Sequence, residues 1–204
     1  MKKTTLSAAA AAIAIAALAL WTARGDASAQ QTGPKSGVKR GEFLVATHGC
    51  NDCHTPWKLG PKGPEPDMAR MLSGHPEGLK MPPPPKPVGP WTASISATFT
   101  AFAGPWGISY APNLTPDQNT GMGIWTEAFF VKAMKTGKHF GTSRDILPPM
   151  PWPAYRNLPE SDLKAIFAYL RSIPPIVNHV PDSEPAPPPP GAPAPAPAKT
   201  PAKK

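Results

Sequence analysis

Three stretches of the chain place their apolar residues at helical spacing. Within residues 37–49, Gly41, Leu44 and Val45 share one face, which predicts a first helix. Residues 124–136 predict a second, with Phe130, Ala133 and Met134 as its apolar stripe. Thr126 is its expected N-cap, Glu127 sits favourably in its first turn, and Gly137 follows its end. The clearest pattern runs over residues 159–172, where Leu163, Ile166, Phe167 and Leu170 fall at i, i+3, i+4 and i+7 and Pro174-Pro175 stop the helix. Elsewhere the periodicity breaks. Residues 55–112 hold thirteen of the thirty-two prolines. Proline lacks a backbone donor and fixes its own torsion, so long helices and central strands are excluded there. The expectation is a long loop over residues 57–110, packed through Trp57, Trp91, Phe99, Phe102, Trp106 and Tyr110, with at most a short hairpin across 91–102. Residues 148–153, Pro-Pro-Met-Pro-Trp-Pro, predict a rigid, extended, non-helical strap. The Pro, Ala and Lys tail at 181–204 has almost no large apolar residues and is expected to be disordered or polyproline II.

The N-terminus changes the compartment. Lys2 and Lys3 precede an apolar run over residues 6–21, and Ala27-Ser28-Ala29 offers a small-residue cleavage site. Residues 1–29 therefore read as a cleavable export signal, with one domain over residues 30–180. A retained membrane anchor is the competing reading, since the run falls only slightly short of the spanning minimum of about 17 residues, but the small-residue cleavage site favours removal. No twin arginine is present, so the chain is expected to cross unfolded and mature in a bacterial periplasm. Cleavage lowers the formal charge from +8 to +6. The basic residues are scattered and the compartment is wrong for nucleic acid, so the modest positive charge reads either as ordinary solubility or as a surface able to steer docking onto an acidic protein patch.

Cys50-Asn51-Asp52-Cys53-His54 carries the chemistry, because C-x-x-C-H is the attachment signature of a c-type haem. Cysteines three apart on a helical turn lie on one face, and both sulfurs reach the vinyl groups along one haem edge. The histidine after the second cysteine then lies beneath the iron as an imidazole ligand. A structural disulfide or a thioredoxin-like pair explains neither this histidine nor its position. A zinc site at His48, Cys50, Cys53 and His54 has four ligands within seven residues and no second element to close a tetrahedron. One covalent haem is the expectation, and it uses both cysteines.

The second axial ligand decides between electron transfer and chemistry at an open site. Candidates are Met68, Met71, Met81, Met122, Met134 and Met150, with His48, His75, His139 and His179. Met150 is preferred, because prolines limit the strap around it and pre-order a weak thioether just before the last helix. Met81, also followed by prolines, is the runner-up, and His75 or His139 would give bis-histidine ligation at lower potential.

Together these residues resemble the single-haem class I cytochromes c, and most of all bacterial periplasmic cytochromes and cytochrome subunits of dehydrogenases. The resemblance rests on Gly-Cys-Asn-Asp-Cys-His-Thr-Pro at 49–56, Ala-Pro-Asn-Leu-Thr-Pro-Asp at 111–117 and Ile-Trp-Thr-Glu at 124–127. It continues through Pro-Pro-Met-Pro-Trp-Pro-Ala-Tyr-Arg-Asn at 148–157 and Leu-Lys-Ala-Ile-Phe-Ala-Tyr-Leu-Arg-Ser at 163–172. It implies an all-α cytochrome c fold whose N- and C-terminal helices cross near Gly41, with thioethers at Cys50 and Cys53, His54 proximal and Met150 distal. It also implies a loop carbonyl on the proximal imidazole, expected from Pro61 or Pro64. Trp152 and Tyr155 are expected near the porphyrin, and Asn113 or Arg156 at a propionate. The long segment 57–110 departs from the compact members and separates Met150 from His54 by 96 positions. The expected function is one-electron transfer, with no catalytic residue. The expected partner is a dehydrogenase, a quinol-linked complex or a terminal oxidase, with association to a membrane complex in view. The alternatives are a haem enzyme with an open distal site, where only His75 or His139 would serve as acid or base, and a sensory or structural haem module.

Overall fold

The computed structural model describes residues 34–86 and 88–186, so the expected export signal and residues 187–204 of the tail lie outside the described residues. The chain divides into two units, residues 1–36 and 37–204, and apart from residues 34–36, which begin the first helix, the features below belong to the second. Its helical part follows the apolar spacing closely. Helix α1 is Pro34–Thr47, a one-turn helix α2 is Cys50–His54, α3 is Glu127–Thr136, and α5 is Glu160–Ser172. Leu44 and Val45 of α1 meet Phe130 of α3 and Leu163, Ile166, Phe167 and Leu170 of α5 in one buried cluster. Each large side chain so buried stabilises the fold by about 1.5–3 kcal/mol. At Gly41 the helices α1 and α5 touch: an added Cβ would run into the Ala165 carbonyl and lie 2.8 Å from Tyr169 Cβ. The crossing expected at that glycine is therefore present, and only hydrogen fits in the contact.

Helix α3 begins later than its apolar pattern suggests, after Thr126, whose side chain accepts from Phe129 N at 3.2 Å. Ile124, counted in the predicted helix, is exposed ahead of this cap. Gly137 closes α3 in the left-handed conformation, as expected.

The expected all-α class is corrected, because residues 57–110 build two antiparallel sheets. β1 (Trp57–Gly60) and β2 (Gly63–Pro66) form a hairpin. β3 (Ser94–Ile95), β4 (Ala101–Gly104) and β5 (Gly107–Tyr110) form the second sheet, which β6 (Glu184–Pro185) extends on the β5 edge. The β3–β4 pairing, Ser94 with Ala103 and Ile95 with Phe102, forms the short hairpin expected around residues 91–102. The proline rule itself holds: β2 and β6, the proline-bearing strands, are both at sheet edges, where a missing donor leaves no internal ladder bond unmade. A high density of proline thus excludes central strands here without excluding strands. Residues 184–186, placed in the expected disordered tail, are paired in this sheet, with Ala186 N donating to Trp106 O at 2.8 Å.

His75 is fully buried beside this sheet. Its Nδ1 pairs with Thr100 Oγ1 at 2.9 Å, its Nε2 with Leu79 O at 3.2 Å, and its ring lies 4.9 Å from that of Tyr110. Burial pushes its pKa below the ordinary 6.5, and the bond to Leu79 only partly offsets this. The unfolded chain therefore takes up a proton near pH 6.5 that the folded chain refuses, so the His75 contribution is complete above that pH and is lost as pH falls below it. Denaturant titrations between pH 8 and 5 are expected to show stability falling on the acid side, with a shallower slope in His75→Gln.

Candidate haem-binding site

The site begins at the one-turn helix α2. Cys50 and Cys53 are half-buried, unpaired with one another, and one turn apart. Burial pushes the Cys50 thiol up to about 11 and raises that of Cys53 in the same direction. Both sulfurs are thus neutral and free to form other bonds. His54 ends the turn and is buried. Its Nδ1 lies 2.9 Å from the carbonyl oxygen of Pro112. A carbonyl only accepts, so Nδ1 carries the proton and donates it, and Nε2 keeps its lone pair. Burial holds the imidazole below its ordinary pKa, which favours this neutral form. Among the described residues nothing hydrogen-bonds to Nε2. A neutral imidazole with its far nitrogen oriented and its near nitrogen open, directly after two unpaired cysteines, fits haem iron and its two vinyl groups.

The orienting carbonyl comes from neither Pro61 nor Pro64, which corrects that expectation. Pro61 sits in the turn of the β1–β2 hairpin and Pro64 opposite Leu59 within it, so the chain after the motif folds back on itself. Pro112 arrives only after the second sheet, 58 residues beyond His54. Residues 72–75 hold the two distant segments together. Leu72 N donates to Thr55 Oγ1 at 2.9 Å and Gly74 N to His54 O at 2.8 Å. On the other side His75 N donates to Ala111 O and Leu114 N to Leu72 O, each at 2.9 Å. Gly74 has φ +78°, and a Cβ there would lie 2.6 Å from Pro112 C and 2.8 Å from Asn113 N. Only glycine meets both conditions.

Asn113, an expected propionate contact, points inward. Its Oδ1 accepts from Thr115 N and Oγ1 at 2.9 and 2.7 Å, and its Nδ2 donates to Ile176 O at 2.8 Å. Asn178, buried beside it, donates to Ser73 O and His75 O at 2.7 and 2.8 Å and accepts from Arg70 at 2.8 Å. These two amides fasten the clamp from the far side. Arg156, the other propionate candidate, is exposed, with its guanidinium 5.8 Å over the Trp152 ring.

Of the candidates for the distal position, most are engaged elsewhere. Met122 is in the helical core, Met71 and Met134 pack against it, and Met68 is exposed on a 3-10 turn. Met81 lines a groove with Pro82–Pro85 and strands β3 and β4. Both ring nitrogens of His75 are bonded, and His139 packs against Trp125 and Phe140 at 5.0 and 4.6 Å. His48 bonds its own neighbour Thr47 at 3.1 Å, and His179 is exposed. Met150 is half-buried and makes no hydrogen bond among the described residues.

The strap around Met150 is shorter than expected, because residues Trp152–Tyr155 form a helical turn, α4. Pro153 is tolerated there, since a first-turn N–H has no partner within the helix. The turn directs Tyr155 OH onto the carbonyl of His48, two residues before Cys50. Tyr155 thereby joins the Met150 strap to the start of the cysteine turn, and burial pushes its phenol up to about 12. Pro112, Thr55 and Asn178 carry no local pattern that singles them out in the sequence. Pro112 does lie within the Ala-Pro-Asn-Leu-Thr-Pro-Asp run noted for its resemblance, which is the one signal that marks its segment.

The Gly74→Ala variant of the haem-loaded protein is expected to lose about 2–4 kcal/mol of stability in a denaturant titration, from its left-handed backbone and the clash with Pro112.

A family model for cytochrome c matches residues 38–174. The gluconate 2-dehydrogenase cytochrome c subunit of Pantoea cypripedii is 31% identical over 172 residues, covering 83% of this chain and 31% of that protein. The cytochrome c subunit of the quinone-dependent alcohol dehydrogenase of Gluconobacter oxydans is 26% identical over 171 residues, covering 82% and 28%. The fructose dehydrogenase cytochrome subunit of Gluconobacter japonicus is 34% identical over 133 residues, covering 65% and 20%. The chain spans less than a third of the length of each of these relatives.

Proposed function

Because this chain belongs to the cytochrome c family, whose cofactor is haem c, we propose that it is an exported electron-transfer protein carrying one covalent haem. Cys50 and Cys53 hold the haem by thioethers, and His54 and Met150 are its axial ligands. The observation that carries this reading is the Nδ1–Pro112 bond, which leaves His54 Nε2 open directly after two unpaired cysteines. When bound, the haem supplies a one-electron centre. The chain's own residues orient the imidazole through Pro112, keep it neutral by burial, and present Met150 from a proline-bound strap. A strong proximal donor with a thioether opposite raises the potential above that of a bis-histidine site.

The reading as an electron carrier rather than a haem enzyme is supported by the two histidines that would have to act as acid or base. His75 has both nitrogens engaged and His139 is packed among aromatic rings. The donor is a dehydrogenase: the similar proteins are named as cytochrome subunits of gluconate, alcohol and fructose dehydrogenases, and the first two matches cover most of this chain. A quinol-linked complex and a terminal oxidase are the other redox partners of this chemistry. The site of action is the periplasm, on the strength of the Lys2-Lys3, apolar and Ala27-Ser28-Ala29 pattern. Among the described residues no helix is long and apolar enough to cross a membrane.

The oxidised protein is expected to show the near-infrared band of methionine ligation and the reduced protein to bind carbon monoxide only slowly. In Met150→Ala the band is expected to vanish and carbon monoxide to bind rapidly. A band that survives in Met150→Ala would refute the assignment.

A further inference from the structure

The strap that presents Met150 is poor in hydrogen-bond donors. Residues 148, 149, 151 and 153 are prolines and contribute no N–H, so the rest of the protein can hold the strap mainly through its carbonyls. Pro151 O is used locally, by Ala154 N at 2.9 Å and Tyr155 N at 3.3 Å in the turn that follows. Pro148 O accepts from Ser109 Oγ at 2.6 Å. Among the described residues, that is the one hydrogen bond to residues 148–151 from outside the strap and its turn. Ser109 belongs to β5, in register with Phe102 of β4, and is itself buried. Its hydroxyl also accepts from Trp106 Nε1 at 3.3 Å, which leaves its proton aimed at Pro148.

Ser109 stands three residues before Pro112, whose carbonyl orients His54. One short stretch at the end of β5 therefore contacts both ligand-bearing segments: Ser109 holds the strap of Met150, and Pro112 holds the imidazole. We infer that Ser109 is a positioning residue for the distal ligand, and that the sheet built by residues 94–110 ties the Met150 strap to the His54 side of the site. The inference rests on the reading of Met150 as the sixth ligand. A thioether is a weak donor, and its hold on iron depends on how little freedom the strap has to lose. The Ser109 hydroxyl restrains the strap two residues from the sulfur. The tie also gives the insertion a role at the site, through a residue that never touches the iron.

Imidazole added to the oxidised, haem-loaded protein competes with Met150, so its apparent affinity reads how firmly the strap holds the methionine. In Ser109→Ala imidazole is expected to bind roughly three- to tenfold more tightly, the factor that corresponds to one lost hydrogen bond. The near-infrared band should give way at correspondingly lower imidazole. Ser109→Thr, which keeps a hydroxyl, should restore wild-type affinity. Ser96→Ala serves as the control: its hydroxyl accepts from Thr100 N and Ala101 N at 3.3 and 3.0 Å in the β3–β4 turn, so its loss should lower the melting temperature and leave imidazole affinity unchanged. If Ser109→Ala does not load haem, Trp106→Phe, which removes the N–H that orients the hydroxyl, is expected to tighten imidazole roughly twofold. Unchanged affinity in Ser109→Ala, or in Trp106→Phe where that variant stands in for it, overturns the inference while the wild-type band stands. A wild-type protein without the band overturns the Met150 reading and this inference with it.

Discussion

The hydrogen bond from His54 Nδ1 to the Pro112 carbonyl joins residues 58 positions apart, and much of the second unit is organised to close that distance. Closing a loop of this length costs chain entropy, which only contacts made within the loop and at its ends can offset. The loop makes them in two ways. Its strands pair with one another in two antiparallel sheets, and its ends are bridged by residues 72–75, which bond to His54 and Thr55 on one side and to Ala111 and Leu114 on the other. The imidazole orientation is therefore a property of the folded insertion, not of the cysteine turn that carries the histidine.

Two kinds of stabilisation divide the structure. The helices α1, α3 and α5 are held by a continuous apolar cluster, with Gly41 letting α1 and α5 approach to backbone contact. Around His54 a second set of buried groups is polar: Thr55, Asn113, Thr115 and Asn178 are all hidden from solvent and hydrogen-bonded. A buried amide left without its partners costs more than the bond contributed, so such a network tolerates few alternative arrangements. Apolar packing fixes where the helices lie; the amides Asn113 and Asn178 fix how the chain around Pro112 is turned. That division suits a site in which a carbonyl must face one ring nitrogen within hydrogen-bonding distance.

The helical part is legible in the sequence because its signals are local. Leu163, Ile166, Phe167 and Leu170 recur at the period of a helix, and all four are buried. Thr126 and Gly137 punctuate α3 as their side-chain oxygen and missing Cβ allow. The cysteine and histidine spacing is equally local. The sheets are not, because Trp57–Gly60, Gly63–Pro66, Ala101–Gly104 and Gly107–Tyr110 are only four residues each, rich in Gly and Pro, and owe their form to partners along the chain. For the same reason the acceptor for His54, expected from the resemblance at Pro61 or Pro64, is supplied by the fold at Pro112 through pairing that no period of two or 3.6 records. The strap at 148–151 is non-helical, as its prolines require, up to the point where Trp152 begins a turn, since proline is compatible with a helix only in its first residues.

A crystal structure of the haem-loaded protein would decide whether the insertion orients the His54 imidazole for the iron. The expected arrangement has iron on His54 Nε2, with Nδ1 still within hydrogen-bonding distance of the Pro112 carbonyl and Met150 sulfur on the opposite face. Iron bound through Nδ1, or a Pro112 carbonyl turned away from the imidazole, would contradict it.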